Sequence, residues 1–284
     1  MRRSLLFIPG NNPSMLQNSD VFEADSIIID LEDAVNISEK DSARNLVKSY
    51  LDSKNDIISE MIIRINGMDT NYYLDDLKMV VSDKIDCIML PKANSSDLVK
   101  LDQILTDLEG KNHLTKSIKI IPIVELASSL LEINAIATSP RVDGILLGAE
   151  DFTSDMEVSR TKEGKEISYA RSVIAVTSMA NKIDPIDTPF TDVNDAQGLE
   201  EDIKNSISLG MKAKAAIHPN QIEAINRLYA PTVEQIAWAN KIIEAKKIAF
   251  EKGLGAFSVD GKMVDKPVIE RAEKILKKAK EFNL

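Results

Sequence analysis

Acidic side chains gather where the apolar runs of this chain end. In SIIIDLEDAV (26–35), Ile27, Ile28 and Ile29 lead straight into Asp30, Glu32 and Asp33. An apolar strand gains free energy by leaving water, and an ionised carboxylate loses it by the same move. The isoleucines therefore belong to a wall and the acids to its rim. The pattern recurs where KIIPIVE ends on Glu125 and GILLGAED ends on Glu150 and Asp151. Crowded carboxylates raise one another's pKa unless a cation compensates. The chain has two histidines, His113 and His218, and one cysteine, Cys87. That is poor provision for zinc, which favours thiolate and imidazole. Oxygen ligands favour Mg²⁺ or Mn²⁺, held by one or two carboxylates while water and substrate complete the octahedron. Glu125 and Asp151 end neighbouring strands and can reach one ion. The competing reading is a ring of carboxylates balanced by Lys92 and Arg64. Arg64, in IIRIN, is a strand-borne guanidinium that needs an anion if it is buried. It reads either as a salt bridge to Asp30 or Glu32, or as a bidentate clamp on a substrate carboxylate.

Eight apolar, β-branched runs must position these groups. They are SLLFIPG (4–10), DSIIIDLED (25–33), MIIRIN (61–66), CIMLPKA (87–93), KIIPIVE (119–125), GILLGAED (144–151), IDPIDTPF (183–190) and AKAAIHPNQ (213–221). Pro185 interrupts the seventh. Helix-like stretches separate them, such as SEKDSARNLVKSYL with a Ser38 cap, and DAQGLEEDIKNSISLG stopping at Gly210. Near-continuous apolar strands alternating with helices imply a parallel sheet covered by helices, and eight units favour a TIM (β/α)8 barrel. No GxGxxG or Walker A pattern is present, which argues against a nucleotide fold. In such a barrel the strand ends and βα loops share one face, so the polar termini of the runs converge there.

The predicted α/β barrel occupies residues 1–230, and 231–284 form a C-terminal extension. PTVEQIAWANKIIEAKKIAFEKG reads as a helix from Pro231 to Gly253, with Val233, Ile236, Ala237 and Ile243 on one face. AFSVDGKMVD reads as a hairpin turning at Asp260-Gly261. A last helix follows Pro267 with Ile269, Ala272, Leu276 and Ala279 as its apolar stripe. This extension is expected to pack on the barrel or on a neighbouring subunit.

The net charge of −10 over 284 residues argues against a nucleic-acid binder, which needs a basic face. One cysteine excludes an internal disulfide or CxxC site, and Cys87 in CIML reads as a packed core thiol. The opening MRRSLLFIPG reads as a first strand rather than a leader, because Pro9 and Gly10 stop the apolar run. No run approaches the ~20 apolar residues of a membrane span. A reducing cytoplasm is expected.

At these residues the chain resembles the malyl-CoA lyase and citryl lyase family, and within it the citrate lyase β subunits. The matching stretches include RSLLFIPGNNPSML (3–16), DLEDAV (30–35), RING (64–67), LPKA (90–93) and IIPIVELA (120–127). RVDGILLGAEDFTSDM (141–156), RTKEGKEISYARS (160–172), IDTPFTDVNDAQGL (186–199), IHPNQI (217–222) and VDGKMVDKPVIERA (259–272) continue the match. The resemblance implies a Mg²⁺-dependent carbon–carbon lyase that cleaves citryl thioester to oxaloacetate and an acetyl thioester. It implies Mg²⁺ on Glu125 and Asp151, with Glu125 beside the substrate and Arg64 on a substrate carboxylate. Asp265 would reach a neighbouring subunit's site as proton donor. Asp30, Glu32 and Asp33 would hold the metal's waters and orient Arg64. Implied partners are a transferase (α) subunit and an acyl carrier (γ) subunit bearing the thioester, in a homo-oligomer. The alternatives are a malyl-CoA or citramalyl-CoA lyase or synthase on the same scaffold, or a non-catalytic assembly subunit. One departure is Ala213 before Lys214, where the family commonly has glycine.

Overall fold

The computed structural model describes residues 2–54, 58–251, 256–282 and 284. All eight apolar runs form strands: β1 (Ser4–Pro9), β2 (Ser26–Asp30), β3 (Glu60–Arg64), β4 (Cys87–Leu90), β5 (Lys119–Val124), β6 (Gly144–Leu147), β7 (Asp184–Asp187) and β8 (Ala213–Ala216). They pair in chain order, all parallel, and β8 returns to β1 to close the barrel. The interior is filled from every strand, by Leu5, Ile28, Ile62, Cys87, Met89, Ile121, Ile123, Leu146, Ile186, Ala213 and Ala215. Alternation along each strand sends the remaining apolar residues outward against the helices. Pro185 does not break β7. It withholds one N–H from the ladder, while its carbonyl still accepts from Lys212 N at 3.0 Å.

The barrel's N-terminal end is bolted by Arg2. Its guanidinium donates to Glu60 on β3 at 2.6 and 2.7 Å, to Asp143 ahead of β6 at 2.7 Å, and to Asp184 on β7 at 3.0 Å. Cys87 is buried beside it as a core thiol. Polar residues at this end stabilise the barrel and leave the other face to chemistry.

Local helix starts differ in detail from expectation. Ser38 is not the cap before the Lys40–Ser53 helix: Asn36 Oδ1 accepts from both Ser38 N and Ser38 Oγ and starts the preceding turn. Asn reaches its own backbone two residues on, so it takes the capping role first. The Ala196–Ser208 helix is capped by Asp195, whose Oδ1 accepts from Gly198 N at 2.9 Å, and Gly210 with φ +102° ends the turn after it.

Two compact units are present, Arg2–Asn226 and Arg227–Leu284. The second has its own core of Ala239, Ile242, Val264 and Ala272, joined by Trp238, Ile269 and Leu276. The hairpin forms as β9 (Phe257–Val259) and β10 (Lys262–Val264), with Asp260 and Gly261 at φ +50° and +73°. The long helix runs over Val233–Glu251, two residues later than expected, because Thr232 and Gln235 form a reciprocal capping box. Its buried positions are Ala239, Ile242 and Ala249. Of the residues read as its inner face, Ile243 packs on this core while Val233 and Ala237 are exposed, so the inner face is rotated from the one read in sequence. The expected stop at Gly253 lies outside the described residues. Among the described residues, no helix is long and apolar enough to cross a membrane.

Under β7 and β8 lies a buried group of four charges. Arg171, on the Ser168–Asn181 helix, donates to Asp187 at 2.8 and 2.9 Å and to Asp202 at 2.7 Å. Lys214 Nζ donates to Asp187 at 2.7 Å, Asp202 at 2.6 Å and the Thr188 carbonyl at 2.7 Å. Burial pushes the Asp187 carboxyl up, but the Lys214 and Arg171 charges outweigh it and hold it below the usual range. Two cations and two anions cancel, which makes complete burial tolerable. Lys214→Met leaves two buried carboxylates facing the single guanidinium of Arg171 and should cost ~3–5 kcal/mol in urea unfolding. An unchanged unfolding midpoint would refute this charge balance.

Candidate active site

β2 delivers Asp30 to the rim, and the four residues that follow turn sharply around it. Asp30 Oδ1 accepts from Glu32 N at 2.8 Å and Oδ2 from Ala34 N at 3.0 Å. The same two oxygens accept from Arg64 Nε at 2.7 Å and Nη2 at 2.6 Å. Asp30 and Arg64 sit in register across β2 and β3, which sets up this two-pronged contact. Behind the loop, Lys40 Nζ donates to the carbonyls of Leu31 and Glu32 at 2.8 and 2.7 Å, and Asn66 Nδ2 to Leu31 O at 3.0 Å. The turn carrying Glu32 and Asp33 is therefore pinned from three directions.

Of the two readings of Arg64, its Asp30 edge is the salt bridge. Its other edge faces the opening. Nη1 lies 3.1 Å from Glu32 Oε2 and 3.7 Å from Asp33 Oδ2. The Phe7 ring stacks beneath the guanidinium at 5.1 Å. Glu32 Oε2 is buried without a directed hydrogen bond. Burial pushes the Glu32 carboxyl up to about 8; Arg64 pulls against it, and Asp33 and Glu125 add to it.

Glu125 follows β5 directly and is 4% exposed. Its Oε1 accepts from the backbone N–H of Lys92 at 2.6 Å. Lys92 reaches that position with φ +47°, a conformation uncommon for a lysine, so strain is stored where its amide meets the carboxylate. On its other side Glu125 lies over Gly148. A Cβ there would come within 2.7 Å of Glu125 Oε2 and 2.8 Å of Glu125 Cβ, so only glycine leaves the side chain room. Burial pushes the Glu125 carboxyl up to about 7; the Lys92 amide lowers it and the nearby Asp151 charge raises it. Asp151 is exposed in the first turn of the Ala149–Asp155 helix, which starts immediately after Gly148.

Phe7, Asp30, Asp33, Arg64, Glu125, Glu150, Asp151 and Thr188 line one cavity of about 470 Å³ at the C-terminal mouth of the barrel. The lining holds five carboxylates against the single guanidinium of Arg64, which Asp30 already engages. Among the described residues no group of three or more His, Cys, Asp or Glu is placed to hold a metal ion by itself. A surplus of oxygen donors with ligand positions left over suits a hard cation that keeps water and substrate in its shell. His218 is exposed, and its Nδ1 accepts from Asn220 N at 3.2 Å, a cap on the Pro219–Gln221 turn. Lys214, next to the Ala213 departure, is fully buried among carboxylates and does not face the cavity. Asp265 belongs to the second unit, where it caps the Lys266–Glu281 helix through Val268 N.

Residues 3–219 match the model of the HpcH/HpaI aldolase/citrate lyase family. The chain is 40% identical to the citrate lyase subunit beta of Leuconostoc mesenteroides subsp. cremoris, over 100% of this chain and 95% of that protein. It is 30% identical to the human mitochondrial citramalyl-CoA lyase, over 96% of this chain and 84% of that protein. Among solved structures, the citrate lyase beta subunit of M. tuberculosis complexed with oxaloacetate and magnesium superposes with TM-score 0.69 at 25% identity. That match covers 81% of this chain and 97% of the other. The barrel, its acid-lined mouth and these matches agree: the chain belongs to the HpcH/HpaI aldolase/citrate lyase family.

Proposed function

We propose that this chain is the lyase subunit of a citrate lyase, a Mg²⁺-dependent enzyme that splits citryl thioester into oxaloacetate and an acetyl thioester. The observation that carries the reading is the meeting of Arg64, Glu125 and Asp151 in one acid-rich cavity. Glu125 and Asp151 would hold the ion, consistent with the raised pKa of Glu125, whose Oε1 accepts from a backbone amide. Mg²⁺ held there supplies a Lewis acid, which lowers the pKa of a substrate hydroxyl and favours its ionisation.

The reaction is a reverse Claisen cleavage. The hydroxyl proton leaves, the carbon–carbon bond electrons pass to the acetyl carbon, and a proton is returned there. Arg64 is held by Asp30 and Phe7, so its Nη1 edge presents fixed donors to a substrate carboxylate and orients the breaking bond. Glu32 keeps a proton up to about pH 8 in the free protein, so it does not compete with that carboxylate as a full negative charge. Asp33 is positioned to accept from water at the rim. We assign delivery of the final proton to Asp265 from a neighbouring subunit, on the second unit of the chain. The full assembly then comprises a homo-oligomer of this chain, a transferase subunit and an acyl carrier subunit that presents the thioester, working in the cytoplasm.

The similarity to citramalyl-CoA lyase favours a second reading with the same catalytic groups and a CoA thioester. Side-by-side assays separate them. Turnover of citryl-carrier protein well above citramalyl-CoA supports the first, and the reverse order replaces it with the second. Glu125→Gln should abolish Mg²⁺ uptake and cost more activity than the ~10–100-fold typical of an outer-shell change. Retained uptake measured by calorimetry removes Glu125 from the metal site.

Metal-free protein should also respond to pH. Folded Glu125 and Glu32 hold protons up to about pH 7 and 8, whereas unfolded carboxyls release them near pH ~4.3. The folded state binds more protons in between, so stability falls as pH rises from about 5 to 8. In EDTA the melting temperature should drop across that range, and Mg²⁺ should restore more of it at the alkaline end. A flat profile would contradict the two raised values.

A further inference from the structure

The start of the Ala149–Asp155 helix has a problem that its own sequence cannot solve. The first N–H groups of a helix need acceptors, and the usual source is a Ser, Thr, Asp or Asn side chain at the N-cap. Here the N-cap is Gly148, which offers no side chain, and the packing of Glu125 against it forbids one. The acceptor comes from elsewhere in the barrel. Ala149 N donates to Thr188 Oγ1 at 3.3 Å, a buried hydrogen bond spanning the tops of β6 and β7. Gly148 N donates to Val124 O at 3.0 Å on the opposite side. The helix start is thus tied to β5, which leads into Glu125, and to the residue after β7.

Thr188 is itself held. It is 1% exposed, and its carbonyl accepts from Lys214 Nζ at 2.7 Å. Lys214 is fixed by Asp187 and Asp202, which also anchor Arg171. The four-charge group therefore does more than balance itself. It sets the position of one threonine, and that threonine sets where the helix bearing Asp151 begins.

We infer that Thr188 is a positioning residue for the divalent-cation site, acting as a substitute N-cap for the helix that carries Asp151 and braced by Lys214. This rests on the metal reading given above and extends it to a residue outside the ligand set. Loss of the hydroxyl lets the helix start shift relative to Glu125, so the two carboxylates no longer hold the spacing that one ion requires.

The test is Mn²⁺ titration of the full chain without substrate, followed by electron paramagnetic resonance, for wild type, Thr188→Val and Thr188→Ser. T188V keeps the volume and removes the acceptor; it should weaken Mn²⁺ binding by about 10-fold, in the range of outer-shell changes. T188S restores the oxygen and should bind within about twofold of wild type. Faster hydrogen exchange of the Ala149 amide in T188V, and not in T188S, is expected alongside. If T188V does not fold, Thr188→Ala removes the hydroxyl without a second methyl and is read in the same way. Wild-type protein that takes up no Mn²⁺ overturns the metal reading together with this inference. Wild-type uptake with unchanged affinity in a folded hydroxyl-free variant overturns this inference alone.

Discussion

A carboxylate taken out of water needs a counter-charge or a proton, and Glu125 sits where that demand is hardest to meet. One oxygen receives the Lys92 amide, the other lies over Gly148, and the nearby negative charge of Asp151 makes ionisation costlier still. The surroundings preserve this discomfort rather than relieve it. Lys92 adopts a left-handed φ that aims a peptide N–H at Glu125 while its ammonium group remains outside, on an exposed side chain. Arg64, the one guanidinium in the cavity, is committed along one edge to Asp30. The result is a surplus of negative charge lining a cavity whose shape is set by the barrel.

The barrel makes such an arrangement possible because its wall and rim have separate tasks. Ile27 to Ile29 and their counterparts supply the burial that stabilises the fold, and the residues one step further along each strand inherit fixed positions on one face. The in-register pairing of Asp30 with Arg64 shows how directly this works: strand alignment alone brings anion and cation opposite each other.

That logic also explains what was legible in the residues. All eight strands and the acids at their ends follow from apolar runs and residue type, and Pro185 misleads only because a parallel barrel strand can forgo one donor. The hairpin at Asp260-Gly261 is readable because few residue pairs accept two successive positive φ angles. The supports of the site were not legible in this way. The Lys92 contribution comes from a backbone amide, which every residue but proline owns. Lys40 looks like a solvated helix residue in sequence, yet it is buried against the Leu31 and Glu32 carbonyls. Gly148 and Thr188 matter through neighbours 23 and 39 positions away. No periodicity encodes contacts of that separation, whereas the quoted family motifs carry the stretches without stating what each residue does.

Two groups of charges therefore stand side by side with opposite designs. Arg171, Asp187, Asp202 and Lys214 are buried, and their charges sum to zero. The cavity charges are partly open to water and sum to a surplus of negative charge. A neutral, charge-paired network is stiff because most displacements break a charge-assisted bond, although Arg171 Nη1 is left without a partner. An unsaturated one stays receptive because a cation lowers its energy. The carbonyl and hydroxyl of Thr188 join the first to the lining of the second, which ties the cavity to a fixed neighbour. In the proposed metal site, that rigid neighbour would keep Glu125 and Asp151 at their spacing against the repulsion that Asp151 exerts on an ionised Glu125.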